Sequence, residues 1–306
     1  MHEPVSEEHA IPQHEEHIDS HPQYTPQDLG TQNNGQENKA TNTKKHPVVE
    51  LFGPTIQGEG MSAGLQTLFI RFGGCDYRCT RCDSLHAVIP QAVKANATYM
   101  TAEEIVTWAL ERRNTTGVMW ITFSGGNPLM HKLETLVALL KELGFFINVE
   151  TQATLWQDWL EGVDQVTVSP KSPGMGEVFD QKVYTGFINK LVNTYSARMG
   201  LISLCVKVVT FSAQDMEFAL LVEDCTLLAG WHNPEFYLSQ GNPYAPQLGE
   251  DLKLHDPSSL DGDNLPTLLL DDFKHQAEDL LQDPRLKRWR FLPQMHVLIW
   301  HNEAKR

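Results

Sequence analysis

No apolar run in this chain of 306 residues approaches the roughly 18 to 20 residues that a membrane-spanning helix needs, so no membrane partner is expected. Its first residues hold neither the apolar core of a secretory signal nor the arginine-rich, acid-poor make-up of a transit peptide. A cytoplasmic protein is expected. Basic residues are also short, with 24 Lys and Arg against 39 Asp and Glu and a formal charge of -15. Gripping a phosphate backbone depends on clustered Lys and Arg, so nucleic acid is not expected and small-molecule chemistry is. Cysteine is scarce, and its count of five is odd, which speaks against the disulfide framework of a small secreted domain. What is plentiful is ordinary: 41% hydrophobic residues, enough for a substantial buried core.

Residues 1–46 are polar and His-rich, with Val5, Ile11, Ile18 and Leu29 almost the only aliphatic side chains. Such a segment cannot bury enough surface to offset its ordering entropy, and it reads as a solvated tail without a catalytic role. From Pro47 onward short β-rich runs alternate with helical ones, without a repeat. Strands are expected at VVELF (48), TLFIRF (67), VMWITF (118), FFINVE (145), QVTVS (165), SLCVKVVT (203), EFYLS (235) and FLPQMHVLIW (291), two or three of them as edge additions. Between them, Thr101 and Glu104 predict a capped helix start, Gly144 a helix end, residues 213–225 a helix, and 266–282 a final long one. The Pro-, Gly- and Asp-rich stretch 240–266 reads as a surface excursion beside the domain. This alternation predicts a single α/β domain over 47–306 with parallel βα units, a partial or modified barrel.

Three of the five cysteines, Cys75, Cys79 and Cys82, fall within eight positions as CxxxCxxC. They suit three arrangements: buried free thiols, a zinc site completed by His86, or a [4Fe–4S] cluster with only three protein ligands. The surroundings narrow the choice. TIQGEG (55–60), Arg71 in FIRFGGC, Asp83-Ser84, SGGNP (124–128), VETQ (149–152), SPKSPG (169–174) and LPQMH (292–296) follow in one order. Together with the cysteines they resemble the 7-carboxy-7-deazaguanine synthases, a family of radical S-adenosylmethionine enzymes, over about residues 47–300.

The resemblance implies an (βα) barrel of the radical S-adenosylmethionine type and a ring contraction of 6-carboxy-5,6,7,8-tetrahydropterin to 7-carboxy-7-deazaguanine with loss of ammonia. It implies a [4Fe–4S] cluster on Cys75, Cys79 and Cys82, and S-adenosylmethionine held by Arg81, Cys82, Asp83, Gly126, Ser169, Pro170 and Lys171. Substrate contacts would come from Ile56, Gln57, Gly58, Glu59, Arg71, Ser124, Gln294 and His296, and Ser84 would ligate Mg2+. A flavodoxin or ferredoxin as electron donor and a homodimer are further implications. Each residue also has a plainer reading: a turn for Gly125 and Gly126, a Pro-bracketed loop for Ser169 and Lys171, a surface ion pair for Arg71, a loop carboxylate for Glu59, a helix cap for Ser84 and a half-buried strand for Gln294 and His296. Three departures stand out: Asn127 in GGNP where the superfamily commonly has glutamate, Ser84 where the family usually has threonine, and the excursion at 240–266, which has no counterpart in the family. The competing functions are a glycyl-radical activating enzyme and a zinc-stabilised binding protein.

Overall fold

In the computed structural model, residues 44–198, 200, 202–257 and 264–305 are described. In chain order they form β1 (His46–Ile56), β2 (Gln66–Phe72), α1 (Leu85–Val88), α2 (Pro90–Asn96), β3 (Thr98–Met100), α3 (Ala102–Thr116), β4 (Trp120–Gly125), α4 (Glu134–Glu142) and β5 (Phe146–Thr151). There follow β6 (Gln165–Val168), α5 (Gln181–Ala197), β7 (Ser203–Thr210), α6 (Ala213–Leu228), β8 (Glu235–Gln240), β9 (Gln247–Leu248), β10 (Leu254–His255), α7 (Leu265–Gln282), β11 (Trp289–Leu292) and α8 (Met295–Trp300).

One sheet of nine strands runs in the order β3-β1-β2-β4-β5-β6-β7-β8-β11. From β2 to β11 every pairing is parallel, while β1 pairs antiparallel with both β2 and β3. The sheet is open, a partial rather than a closed barrel. Parallel strands joined by helices are covered on both faces and read as nearly continuous apolar runs. That is the pattern of β6, buried at all four positions, and of β7, buried at six of its eight. The strands from β2 onward share one direction, so the loops leaving their C-terminal ends gather on one side, where such sheets carry their sites.

Local signals set several boundaries. Thr101 Oγ1 accepts from the Glu104 N–H at 3.2 Å and Glu104 Oε2 from the Thr101 N–H at 2.7 Å, closing the capping box at the start of α3. The segment at 291–300 differs from the expectation of one strand: β11 ends at Leu292, and α8 begins at Met295. Pro293 has no N–H for the ladder, and the Gln294 carbonyl instead accepts from Val297 N at 3.1 Å and Leu298 N at 3.2 Å. Helix α5 escaped the sequence reading although Tyr184, Phe187, Ile188 and Leu191 follow a helical spacing and all face the core. Asp180 caps it, its carboxylate accepting from the Lys182 and Val183 N–H groups.

Of the expected tail, residues 1–43 lie outside the described residues, and His46 is a buried member of β1, so the folded part starts within the stretch read as tail. The expected excursion is not wholly lateral. Its outer part is the hairpin β9-β10, but Gln240 and Asn242 are buried, and Asn242 Nδ2 donates to Asn302 Oδ1 at 2.9 Å. Residues 258–263 are outside the described residues. No described helix is long and apolar enough to cross a membrane.

Candidate active site

A cavity of about 200 Å3 opens where β2, β4, β5, β6, β7, β8 and β11 end. Its wall includes all the residues singled out from the sequence as cluster, cofactor, substrate or magnesium contacts except Pro170, which is buried behind it. Some of them, such as Glu59 and Gln294, are 235 positions apart in the chain and meet here because the parallel strands end side by side.

On one side lies the loop bearing Cys75, Cys79 and Cys82, all half-buried free thiols. Burial pushes the Cys79 thiol up to about 11 and that of Cys82 to about 12, so a metal taken by these thiols would have to displace their protons. A single zinc needs its thiolates within about 2.3 Å of one point, and among the described residues no three His, Cys, Asp or Glu side chains are so gathered. His86, the expected fourth ligand of that arrangement, stands 3.5 Å from Glu50. Three free thiols lining one cavity are a donor set that a [4Fe–4S] cluster can take, each on a different iron.

Where the loop leaves β2 and returns at Ser84, Arg71 at the end of β2 donates from Nε to Glu50 Oε2 at 2.7 Å and from Nη1 to Ser84 Oγ at 3.0 Å. Burial alone would raise the Glu50 carboxyl, but His86 and Arg71 beside it hold it down at about 2. Arg71 is thus no surface ion-pair residue, being 18% exposed and tied on two sides. Ser84 precedes α1 yet makes no capping bond; its hydroxyl donates to Asp83 Oδ1 at 3.0 Å.

At the floor, Glu59 is joined to Lys207 of β7, Nζ to Oε2, at 2.8 Å, with side-chain exposures of 13% and 7%. Its other oxygen accepts from Ser239 Oγ at 2.7 Å and Gln294 Nε2 at 3.1 Å. Against the effect of burial, Lys207 and then His296 hold the Glu59 carboxyl far below its usual range, and Glu59 and then Glu150 hold Lys207 above its own. Glu150, at the end of β5, accepts from Gln57 Nε2 at 3.0 Å and Ser124 Oγ at 2.8 Å.

Two glycines owe their identity to neighbouring chain. A Cβ on Gly126 would stand 2.0 Å from Gly74 O, and one on Gly58 would stand 2.1 Å from His296 Nδ1. Gly126 therefore lets the cysteine loop close on the end of β4, and Gly58 lets α8 seat His296 in the cavity; the Met295 N–H donates to Gly58 O at 3.1 Å. Gln294 and His296 enter at the start of a helix, not on the alternating strand expected.

Sequence reasoning assigned no role to Glu50, Glu150, Gln152, Lys207 or Asn242. A signal existed for Lys207, the lone charge in the apolar run SLCVKVVT, and for Glu150 and Gln152, both inside VETQ.

Residues 69–190 match the model of the Radical SAM superfamily. The chain is 35% identical over 260 residues to the 7-carboxy-7-deazaguanine synthase of Bacillus subtilis, covering 84% of this chain and 97% of that one. It is 35% identical over 261 residues to the enzyme of the same name from Bacillus cereus, covering 85% and 98%. Among solved structures, QueE from Escherichia coli superposes with a TM-score of 0.51 at 22% identity, over 82% of this chain and 95% of that one, a likeness of fold.

Proposed function

The chain belongs to the 7-carboxy-7-deazaguanine synthase family of radical S-adenosylmethionine enzymes, and from that premise we propose that it contracts the ring of 6-carboxy-5,6,7,8-tetrahydropterin to give 7-carboxy-7-deazaguanine and ammonia. The observation that carries this reading is the shared cavity, which is lined both by three cluster-type thiols and by a set of buried, pre-oriented charges. When bound, the [4Fe–4S] cluster and S-adenosylmethionine supply one-electron chemistry that ends in abstraction of a hydrogen from substrate carbon.

The chain's own residues hold and orient. Lys171 and Ser169, linked at 3.3 Å, are suited to the carboxylate and ribose hydroxyls of S-adenosylmethionine, with Arg81, Asp83 and Gly126 near the same wall. Arg71 offers its remaining N–H groups to the substrate carboxylate, in a plane set by Glu50. Glu59 and Glu150 are acceptors for the amino and N–H groups of a pterin edge, and Gln57, Ser124, Gln294 and His296 complete that side. Because these partners are already bonded to one another, they need little reorganisation when substrate arrives.

Ser84 is the proposed Mg2+ ligand, supported by its lack of a capping bond and the Asp83 carboxylate 3.0 Å away. The electron reaches the cluster from a flavodoxin or ferredoxin over the cysteine loop, where Arg78 and Val178 are exposed. A homodimer is part of the same proposal, to be read by sedimentation. The deciding experiment is anaerobic turnover of the carboxytetrahydropterin with reductant and S-adenosylmethionine, followed by mass analysis. One ammonia per 7-carboxy-7-deazaguanine is expected; reductive cleavage of S-adenosylmethionine without that product would overturn the substrate assignment.

A further inference from the structure

Asn127, the residue that departs from the superfamily's usual glutamate, lies beneath the cysteine loop with no exposed surface and is not part of the cavity wall. Its Nδ2 donates to Asp76 Oδ1 at 2.9 Å, while its Oδ1 accepts from Thr151 Oγ1 at 3.0 Å and from the Leu129 N–H at 3.2 Å. Asp76 directly follows Cys75 in the chain. Its carboxylate also accepts from Gln152 Nε2 at 2.6 Å and from Thr154 Oγ1. The same Gln152 nitrogen stands 3.5 Å from Cys75 Sγ.

An ionised carboxylate only accepts hydrogen bonds, so every partner of Asp76 must be a donor. An amide at residue 127 meets that demand from its nitrogen and satisfies Thr151 and Leu129 from its oxygen. A carboxylate there would face Asp76 with no proton between them. Gln152 has two N–H donors, and Asp76 fixes the plane of its amide so that the nitrogen serves both the carboxylate and the sulfur. An N–H directed at a ligating thiolate favours the reduced, more negative form of an iron–sulfur cluster and so raises its potential.

We propose that Asp76, Asn127 and Thr154 form a latch that positions Gln152 to donate to the Cys75 thiolate, setting the reduction potential of the cluster as well as the seat of the loop. Asp76 is a positioning residue. The inference rests on the reading that the three cysteines hold a [4Fe–4S] cluster.

The test is a redox titration, followed by electron paramagnetic resonance, of anaerobically reconstituted protein without substrate. Gln152→Leu removes the donor but keeps the bonds of Asp76 to Asn127 and Thr154. It is expected to load iron and to lower the reduced-to-oxidised ratio at a fixed potential about tenfold, which is about 59 mV for a one-electron couple. Asn127→Asp should lower iron retention and the potential together, because two carboxylates then face one another and Asp76 loses a donor. An iron-loaded Gln152→Leu protein with an unchanged midpoint overturns the latch, as does an Asn127→Asp protein that keeps both its iron and its midpoint. Failure of the underlying reading looks different: wild-type protein would then show no [4Fe–4S] signal at all.

Discussion

Replacing Lys207 with Met removes one charge from the floor of the cavity and keeps its length and apolar stem. Glu59 would then remain 13% exposed, bonded through one oxygen to Ser239 and Gln294 but without its cation. At 2.8 Å and an effective dielectric near 20, the gross attraction between the pair is about 6 kcal/mol. Desolvation offsets much of that, and removing one partner of a buried pair typically costs about 3–5 kcal/mol. A loss of that size is a large part of the roughly 5–15 kcal/mol that holds a domain folded. The sign of its pH dependence follows from Glu59. In the wild type its carboxyl is held below the unfolded value, so its contribution is present above that value and is lost only as pH falls through the folded one. Without Lys207 the largest influence holding the carboxyl down is gone while burial still opposes ionisation, so the folded carboxyl rises from its wild-type value and the penalty grows as pH rises through it. Anaerobic urea denaturation of wild type, Lys207→Met, Glu59→Gln and the double variant at pH 5 and pH 7 is the assay. The double variant should lose about 2–3 kcal/mol less than the sum of the two single ones, and Lys207→Met should be worse at pH 7 than at pH 5. Single costs that add within about 0.5 kcal/mol, or a penalty independent of pH, would refute the pairing as a determinant of the site.

Replacing Cys75, Cys79 or Cys82 with Ala should abolish iron loading, while Cys205→Ala, Cys225→Ala and His86→Ala should keep it, since Cys205 and Cys225 are buried elsewhere and His86 faces Glu50; iron analysis and the visible absorption of the cluster decide. Arg71→Lys should raise KM for the pterin about tenfold or more and change S-adenosylmethionine binding little, because one ammonium cannot hold Glu50 and Ser84 in a plane and still present a fork to the substrate. Glu50→Gln should flatten the acid limb of stability: a carboxyl at about 2 against about 4.3 unfolded contributes about 3 kcal/mol at neutral pH, fully present above the unfolded value and lost as pH falls through the folded one. Ser84→Ala should cost about 1 kcal/mol through the lost Arg71 hydrogen bond, with no capping bond to lose besides, and should abolish stimulation by Mg2+; equal magnesium dependence of the two rates would remove Ser84 as a ligand.

Local chemistry was legible in the sequence. Seven of the eight expected strands start and stop near the expected residues because fully buried parallel strands are continuous apolar runs, and the capping box at Thr101 needs only four consecutive residues. The cysteine trio is equally local, since one short loop carries all three thiols. What misled was also local. Alternation in FLPQMHVLIW resembled a strand, but a proline in its third position ended the ladder, and α5 was hidden by the polar residues interleaved on its outer face.

The composition and order of motifs by themselves determined the class of fold, the cluster loop and the family to which the chain belongs. Only the tertiary structure decided which groups face one another. Glu59 and Lys207 are 148 positions apart, and Gln152 meets Cys75 across 77; neither pairing is a property of a stretch of chain. They arise because side chains at the ends of neighbouring parallel strands converge on one rim, where distances of about 3 Å set charge states, hydrogen-bond direction and the reason residue 127 is an amide. Spacing along a chain carries no information about such distances until the register of the sheet is known.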